Sequence, residues 1–177
     1  FRYGTGNGGM HTYSFGDSEP SMIVEDSRGT IWILDRSGSL YTYDRLNDTF
    51  VPQETEERFR VIEATQDNSL LVATVGNDVM LMDCISLRSQ TIFPSVENKT
   101  IRCLKEGDKG EFWIGTNSGL FIRREHEDYK GEAYHDESTP ASISADLITC
   151  INKDSSGNMW IGSFYTGLNI WKNKADE

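Results

Sequence analysis

The sequence has little cysteine and no long hydrophobic run. Its 177 residues include only three cysteines, Cys84, Cys103 and Cys150. Their odd number, without a CxxC or Cys/His spacing, predicts free thiols that pack as small hydrophobic side chains, not a disulfide framework or a zinc site. No apolar run approaches the roughly 18 residues of a membrane-spanning helix. Residues 1–6 do not resemble a secretory leader, so we expect any targeting or membrane segment to lie outside this sequence.

Positive charge is also scarce, because 17 Lys and Arg residues stand against 28 Asp and Glu residues, for a net charge of −11. Phosphate groups would be repelled and no local cluster of Lys and Arg offsets this, so we expect no nucleic-acid ligand. No segment shows helical periodicity, which excludes helices as covering layers. Aromatic residues make up 11% of the chain and β-branched runs recur, so the chain has enough core material for a folded domain.

Residues suited to catalysis or metal binding form no recognisable pattern. The three histidines, His11, His126 and His135, have no HExxH or other metal-binding spacing. The glycine-rich run 4–9 lacks the lysine and the following helix of a phosphate-binding loop, and it is typical of a β-hairpin. The sequence does not exclude a Ser/His/Asp triad assembled from distant positions. We nevertheless predict no catalytic residue, no metal ion and no cofactor.

The chain does contain a repeat. Four segments share a Gly or Asn that lies three residues before a Trp or Leu, and each continues into a second apolar run. The Gly or Asn positions are Gly29, Asn68, Gly110 and Gly157, and the Trp or Leu positions are Trp32, Leu71, Trp113 and Trp160. Successive Trp or Leu positions are 39, 42 and 47 residues apart. A unit of about 40–45 residues with four short strands is the pattern of a β-propeller blade.

Each feature of the repeat has a structural interpretation. A Gly or Asn before the apolar run supplies the positive φ of a tight hairpin turn. The acidic residues that recur with the repeat are expected to mark these turns and not to act in catalysis; they are Asp26, Asp67, Asp108 and Asp154. The strand after the turn is apolar on both faces, as in Ile31–Leu34, so neighbouring sheets must cover it on both sides. We therefore predict that the repeated tryptophans, Trp32, Trp113 and Trp160, pack between blades.

These patterns predict an all-β fold, a β-propeller segment of four-stranded antiparallel blades with three complete and two partial blades. The complete blades are predicted at residues 21–59, 60–99 and 100–146, and the partial blades at 1–20 and 147–177. A two-sheet sandwich uses similar strands, but it does not explain why Gly, Trp and Gly recur at matching offsets. Because propeller rings have typically 4–8 blades, we interpret the chain as part of a longer array, with a closed four-bladed ring as the alternative.

The repeat resembles a known family. The pattern Asp-x-x-Gly-x-(Ile/Met/Phe)-Trp-Ile-Gly-Thr-x-x-Gly-Leu is similar to that of two-component regulator propellers, which form the extracytoplasmic sensor region of hybrid two-component histidine kinases in Bacteroides-type bacteria. Asp108–Leu120 follows it almost residue for residue, and Asp154–Leu168 follows it with one inserted residue. In the first copy Leu34 replaces the Gly, and residues 67–83 have lost both the Trp and the second Gly.

The resemblance implies a function. It predicts a non-enzymatic, periplasmic sensor segment that detects carbohydrate and signals through propeller docking, with any kinase activity and any membrane contact in flanking segments. Two alternatives remain open, which are a propeller lyase of the streptogramin or polysaccharide type and a pure dimerisation scaffold. The open ends of an incomplete ring also predict self-association or pairing with other propeller blades.

A candidate binding surface follows from propeller geometry. The loops between second and third strands and the connectors between blades are expected to share one rim. This rim would collect Arg36, Asn117, His135, Phe164 and Tyr165. Aromatic rings beside amide and guanidinium groups suit an oligosaccharide, because rings stack on the C–H face of a sugar and polar groups bind its hydroxyls.

Overall fold

The described residues form fifteen β-strands in four sheets, each an antiparallel meander in chain order. The structure, a computed structural model, describes residues 11–95, 99–108, 110–124 and 130–172. Sheet 1 contains β1 (Pro20–Glu25), β2 (Ile31–Asp35), β3 (Leu40–Asp44) and β4 (Thr49–Gln53). Sheet 2 contains β5 (Phe59–Ala64), β6 (Ser69–Thr74), β7 (Val79–Asp83) and β8 (Ser89–Phe93). Sheet 3 contains β9 (Ile101–Glu106), β10 (Glu111–Thr116), β11 (Leu120–Arg124) and β12 (Lys130–Ala133), and sheet 4 contains β13 (Ile148–Lys153), β14 (Met159–Ser163) and β15 (Gly167–Trp171).

The sheets stack as propeller blades around an axis formed by their first strands. β5 contacts β1 on one side and β9 on the other, and β9 in turn contacts β13. The all-β propeller fold predicted from the sequence is therefore confirmed. The part of the chain that the structure describes holds no helix long and apolar enough to cross a membrane.

The hairpin between the first and second strands forms as the sequence predicts. The Gly or Asn of every copy has a positive φ, with values of 80° at Gly29, 67° at Asn68, 75° at Gly110 and 82° at Gly157. The left-handed conformation lets the chain reverse in a tight turn, and it is accessible to Gly and Asn at little cost. This explains why the repeat accepts only these two residue types at that position.

The repeated acidic residue has a more specific role than marking a turn. Asp26 lies six residues before Trp32 and accepts hydrogen bonds from its indole Nε1 at 2.9 Å and from the amides of Arg28 and Thr30. Burial raises the pKa of the Asp26 carboxyl, but these hydrogen bonds together hold it below its usual value. Asp154 binds the Trp160 indole in the same way, at 2.9 Å.

In the other two copies the predicted equivalence of the acidic residues is wrong. The position six residues before the Trp or Leu is Thr65 in sheet 2 and Gly107 in sheet 3, not Asp67 or Asp108. At Gly107 a Cβ would lie 2.7 Å from the Trp113 Nε1. The indole of Trp113 instead donates to Glu111 Oε1 at 2.5 Å, so a carboxylate from the strand replaces the one missing from the turn.

The core lies between the sheets. We call the face of each sheet that carries the repeated Trp or Leu its leading face, and the opposite face its trailing face. Each leading face packs on the trailing face of the next sheet. Between sheets 1 and 2, Trp32, Leu34 and Leu40 pack against Ile62, Leu70 and Val72. Between sheets 2 and 3, Leu71, Ala73 and Val79 pack against Leu104, Phe112 and Ile114. Between sheets 3 and 4, Trp113 and Leu120 pack against Ile151, Met159 and Ile161. Burial of these apolar faces is the main stabilising term of the fold.

Three expectations about the ends of the chain differ from the structure. Trp160 is 37% exposed, whereas Trp32 and Trp113 are each 2% exposed, because no described sheet covers the leading face of sheet 4. For the same reason Cys150 is exposed and not a buried thiol. In the partial blade predicted at residues 1–20, residues 11–14 lie in no strand. Residues 1–10 of that partial blade and His126 lie outside the described residues.

The second Gly of the repeat is closely packed in sheet 3. Gly115 faces Cys103 across β9 and β10, and a Cβ at Gly115 would collide with the Cys103 Sγ and lie 2.7 Å from Ile148 Cγ2 of sheet 4. Gly162 faces Cys150 in the same register, and its Cβ would lie 2.5 Å from the Cys150 Sγ. The thiol of Cys150, however, can turn into solvent.

We expect Gly115→Ala to lower the free energy of unfolding by about 1–3 kcal/mol, since overpacking a core forces its neighbours apart. Gly162→Ala is the matched control and should cost much less. Urea unfolding of the two variants measures the difference. Equal losses would show that packing against the next sheet is not what selects glycine here.

Candidate functional site

The loops that the sequence assigned to one rim lie at the same end of their sheets. The loop after each second strand donates a backbone N–H to the carbonyl just before the first strand of the same sheet. The four bonds run from Arg36 to Glu19, Val75 to Arg58, Asn117 to Thr100 and Phe164 to Leu147, at 2.9 to 3.0 Å. We call these loops and the connectors between sheets, residues 54–58 and 134–147 among them, the rim.

Phe164 and Tyr165 form the most exposed aromatic pair on the rim. Their ring centroids are 4.0 Å apart, and the side chains are 44% and 93% exposed. Tyr165 has a φ of 66°, in the left-handed region that a bulky residue rarely occupies. A strained backbone conformation of this kind costs on the order of 1–3 kcal/mol of folding free energy, which the surrounding fold must offset.

The connector at 134–147 is rigidly braced although it is exposed. The backbone N of His135 donates to Asp146 Oδ1 at 2.6 Å, and His135 Nδ1 lies 2.8 Å from the Ile143 carbonyl. Asp136 accepts hydrogen bonds from the hydroxyls of Thr139 and Ser138, which lower the pKa of its carboxyl to about 2. His135 therefore presents a fixed ring at this position, with one nitrogen engaged by the connector.

Asn117 and Arg36 have local partners. The Asn117 Oδ1 accepts from the backbone N of Thr100 at 2.7 Å, and the Arg36 Nε lies 3.1 Å from the Glu19 carboxylate. Both side chains of that ion pair are about three-quarters exposed, at 74% and 73%. An exposed pair of this kind is screened by water and contributes little to stability.

The structure brings some of the predicted residues together and separates one. Asp146 joins His135 to the loop of Asn117, because its carbonyl accepts from the Gly119 N–H at 2.7 Å. The adjoining Leu147 carbonyl accepts from the Phe164 N–H. His135, Asn117, Phe164 and Tyr165 thus surround one connector between sheets 3 and 4. Arg36 belongs to sheet 1 and is not part of this group.

Sequence reasoning missed a cleft of about 630 Å³ at the opposite end of the axis. Its charged walls include Glu63, Lys105 and Lys153. Lys105 forms an ion pair with Glu63, and Lys153 donates to the Gly107 carbonyl at 2.5 Å and to Asp108 Oδ1 at 3.0 Å. Glu63 and Lys105 occupy equivalent positions of adjacent first strands, so aligning the repeats would have revealed the opposite charges.

A second cleft, of about 660 Å³, lies below the connector between sheets 3 and 4. Tyr134 and Trp171 contribute aromatic surface to it, with 39% and 55% of their side chains exposed. Trp171 lies on the edge strand of sheet 4 and packs edge-on against Trp113, with ring centroids 5.7 Å apart. Its nearest amide, Asn169, is already hydrogen-bonded to Ser144 and Ser163.

Two of the three thiols, Cys84 and Cys103, are poorly suited to nucleophilic chemistry. Burial raises the pKa of Cys84 and of Cys103 to about 12, so neither forms a thiolate near neutral pH. Within the described ranges no group of three or more His, Cys, Asp and Glu side chains is arranged to hold a metal ion.

Comparison with known structures supports the architecture. No curated protein sequence matches the chain. The extracellular domain of the hybrid two component system BT4673 from B. thetaiotaomicron superposes with a TM-score of 0.73 at 16% identity, covering 89% of this chain and 22% of that one. The corresponding domain of BT3049 from the same organism gives 0.65 at 22% identity, covering 92% and 22%. A streptogramin B lyase gives 0.70 at 14% identity, covering 94% and 57%.

The chain thus spans about a fifth of the length of the two extracellular domains, 22% in each case. Identities this low indicate a shared fold only. The match to a sequence family is confined to one segment of the chain. Residues 142–165 match the family model described as Two component regulator propeller, across the end of the connector, the β13–β14 hairpin and the Phe164–Tyr165 loop. Over residues 142–165 the chain is therefore similar to two component regulator propellers, and its fold is that of the extracellular domains of hybrid two component systems.

Proposed function

We propose that the chain is a non-enzymatic, periplasmic sensor segment that recognises an oligosaccharide on its rim. The observation that carries this proposal is the pair Phe164 and Tyr165, of which Tyr165 is 93% exposed on a backbone with a φ of 66°. Strain of this kind is tolerated where function requires the side chain. The match of residues 142–165 to a regulator propeller family supports a sensory role.

The chemistry of the surroundings supports a sugar as the ligand. Two adjacent aromatic rings offer a stacking surface for the apolar face of a pyranose. Asn117 and His135, which lie beside the same connector, supply amide and imidazole groups for hydroxyls. The net charge of −11 disfavours strongly acidic glycans, so neutral glucan fragments are the first candidates.

Signalling would pass through packing. A ligand that contacts both the Phe164 loop and the connector at 134–147 would favour one arrangement of sheets 3 and 4 over others, and a neighbouring propeller would sense that difference. A kinase that responds to the change would lie in flanking segments of the polypeptide.

Calorimetric titration of neutral glucan fragments, chosen after a thermal-shift comparison with pectin and glycosaminoglycan fragments, tests this proposal. We expect Tyr165→Gly to abolish binding while stability does not fall, because glycine adopts the same φ without strain. Tyr165→Phe keeps the ring and should retain most of the affinity. Leu46→Ala is the matched control, since Leu46 is 96% exposed in the turn between β3 and β4.

Unchanged affinity in both Tyr165→Gly and Phe164→Ala would remove the two aromatic residues from the site. Failure of every glycan to bind the unaltered chain would favour the scaffold alternative.

A lyase is the second candidate, and the similarity of fold to a streptogramin B lyase is the observation in its favour. An eliminating enzyme produces an unsaturated product that absorbs in the ultraviolet. Incubation with Mg²⁺ and either streptogramin B or a polyuronide tests this activity directly. A steady rise in absorbance that depends on the enzyme would replace the sensor proposal.

A further inference from the structure

The first strand of every sheet contains a β-bulge at the same position. Between two successive paired positions, the first strand there has one residue more than the second strand. The four extra residues are Ser21 in β1, Arg60 in β5, Arg102 in β9 and Thr149 in β13. A bulge releases a side chain from the regular alternation of a strand, and bulges are common beside binding sites. The position is therefore suited to presenting a side chain to a ligand.

The bulge itself does not require arginine. Ser21 donates its hydroxyl to the Leu34 carbonyl at 3.0 Å, and Thr149 donates to the Gly162 carbonyl at 3.1 Å. In sheets 1 and 4, therefore, the bulged side chain binds the neighbouring second strand of its own sheet. A short hydroxyl side chain is sufficient for this role, so the backbone does not explain why sheets 2 and 3 carry arginine there.

The two arginines lie next to the axis. Arg60 and Arg102 are exposed, although the residues before them, Phe59 and Ile101, are 3% and 2% exposed. Neighbouring sheets cover both faces of sheets 2 and 3, and β5 and β9 are the inner edge strands of these sheets. Solvent therefore reaches the two side chains from the axis, near the end that carries the rim. Because β5 contacts β9, the arginines occupy equivalent positions of adjacent strands.

Neither arginine is paired with a carboxylate. Acidic residues outnumber basic residues by 28 to 17, yet among the described residues neither Arg60 nor Arg102 forms an ion pair. Arg60 Nη2 donates to the Val75 carbonyl of the rim at 3.4 Å, which leaves its other N–H groups available. Like charges on adjacent strands repel each other, and a bound anion would offset that repulsion. Guanidinium groups bind oxyanions through paired, charge-assisted hydrogen bonds.

We propose that Arg60 and Arg102 together bind a small oxyanion at the rim end of the axis. Carboxylate, phosphate and sulfate groups share the charge and the acceptor oxygens that this site recognises. The net charge of −11 repels anions at long range, so an ion with two charges, which engages both guanidinium groups, is favoured over one with a single charge. The site belongs to sheets 2 and 3, and it does not depend on the carbohydrate proposal or on the aromatic pair of sheet 4.

Calorimetric titration of the full chain with malonate, sulfate, inorganic phosphate and acetate at low ionic strength tests the proposal. We expect one divalent ion per chain, weaker binding of acetate, and an affinity that falls as sodium chloride screens the charges. Arg60→Gln and Arg102→Gln should each weaken binding by about tenfold or more, and the double variant should abolish it. Arg45→Gln is the matched control, because Arg45 binds the Gly29 carbonyl at the other end of the sheets. This control should bind like the unaltered chain.

Two further measurements separate this site from the carbohydrate site and from a folding defect. Tyr165→Gly should keep its affinity for the ion even if it loses a glycan. The divalent ion should raise the Tm of the unaltered chain and leave that of the double variant unchanged, since only a bound ligand stabilises the fold. Three results would overturn the proposal. They are no binding of any of the ions, two ions bound per chain, and an equal loss of affinity in Arg45→Gln and Arg102→Gln.

Discussion

Trp113→Ala is expected to lower the free energy of unfolding by about 3–5 kcal/mol, as for other large-to-small changes at buried aromatic residues. Trp113 is 2% exposed and fills the space between sheets 3 and 4, beside Ile151, Met159 and Ile161. Removing the indole opens a cavity that these neighbours, held in separate strands, cannot close. Loss of this one contact is predicted to weaken the docking of the whole of sheet 4.

Trp160→Ala is the matched comparison. The two tryptophans occupy the same position of the repeat, and each donates its indole N–H to a carboxylate, Glu111 for Trp113 and Asp154 for Trp160. They differ in that no described sheet covers Trp160. We therefore expect a loss of about 1 kcal/mol or less for Trp160→Ala.

Chemical denaturation at low protein concentration measures both variants without a contribution from association. Because Glu111 keeps its ion pair with Arg124 at 3.0 Å, Trp113→Ala does not leave a buried carboxylate unpaired. Losses of similar size in the two variants would mean that the hydrogen bond, and not packing between blades, explains the repeated tryptophan.

Local rules were sufficient to predict the architecture. Positive φ at Gly29, Asn68, Gly110 and Gly157 is a property of a short turn, and a turn depends on residues a few positions apart. The apolar strands had to be covered on both faces, which only stacked sheets provide when helices are absent. For this reason the blade repeat could be predicted with the right strand order even in sheet 2, where Leu71 replaces the tryptophan.

Relations between blades were harder to predict. The sequence alignment placed Asp108 beside Asp26, although the structure shows that Gly107 is the true equivalent and that Glu111 replaces the missing carboxylate. A one-residue shift in a turn changes which side chain reaches the indole, and periodicity alone does not resolve it. The exposure of Trp160 and Cys150 likewise depends on what covers sheet 4. The repeat pattern holds no information on this.

The candidate site was only partly accessible to sequence reasoning. The Phe164–Tyr165 insertion was visible because it departs from the repeat. His135 and Asn117 lie beside the same connector as the Phe164–Tyr165 loop because Asp146 is hydrogen-bonded to residues far apart in the chain. The sequence contains no sign of these bonds. The charged cleft around Glu63 and Lys105 arises from two different blades and has no signature within either one.

Breaking the ion pair between Glu63 and Lys105 should have the second large effect. We expect Lys105→Met to lower the free energy of unfolding near neutral pH by about 2–3 kcal/mol. The Lys105 and Glu63 side chains are 24% and 20% exposed, and removing one member of a largely buried pair leaves an uncompensated charge. Burial already raises the pKa of the Glu63 carboxyl above its usual value, and the ammonium of Lys105 opposes that shift.

The sign of the pH dependence follows from this raised pKa. A group whose pKa is higher in the folded protein stabilises it when protonated, and that contribution is lost as the pH rises through the folded pKa. In Lys105→Met the pKa of Glu63 should rise further, so stability should fall more steeply between about pH 5 and pH 8 than in the unaltered chain. Denaturant unfolding at several pH values measures this slope. The double variant Glu63→Gln, Lys105→Met has no charge to bury, so it should recover most of the lost stability and remove the added pH dependence. If the double variant were no more stable than Lys105→Met alone, the loss would come from the packing of the lysine stem. The unpaired carboxylate of Glu63 would then not be its cause.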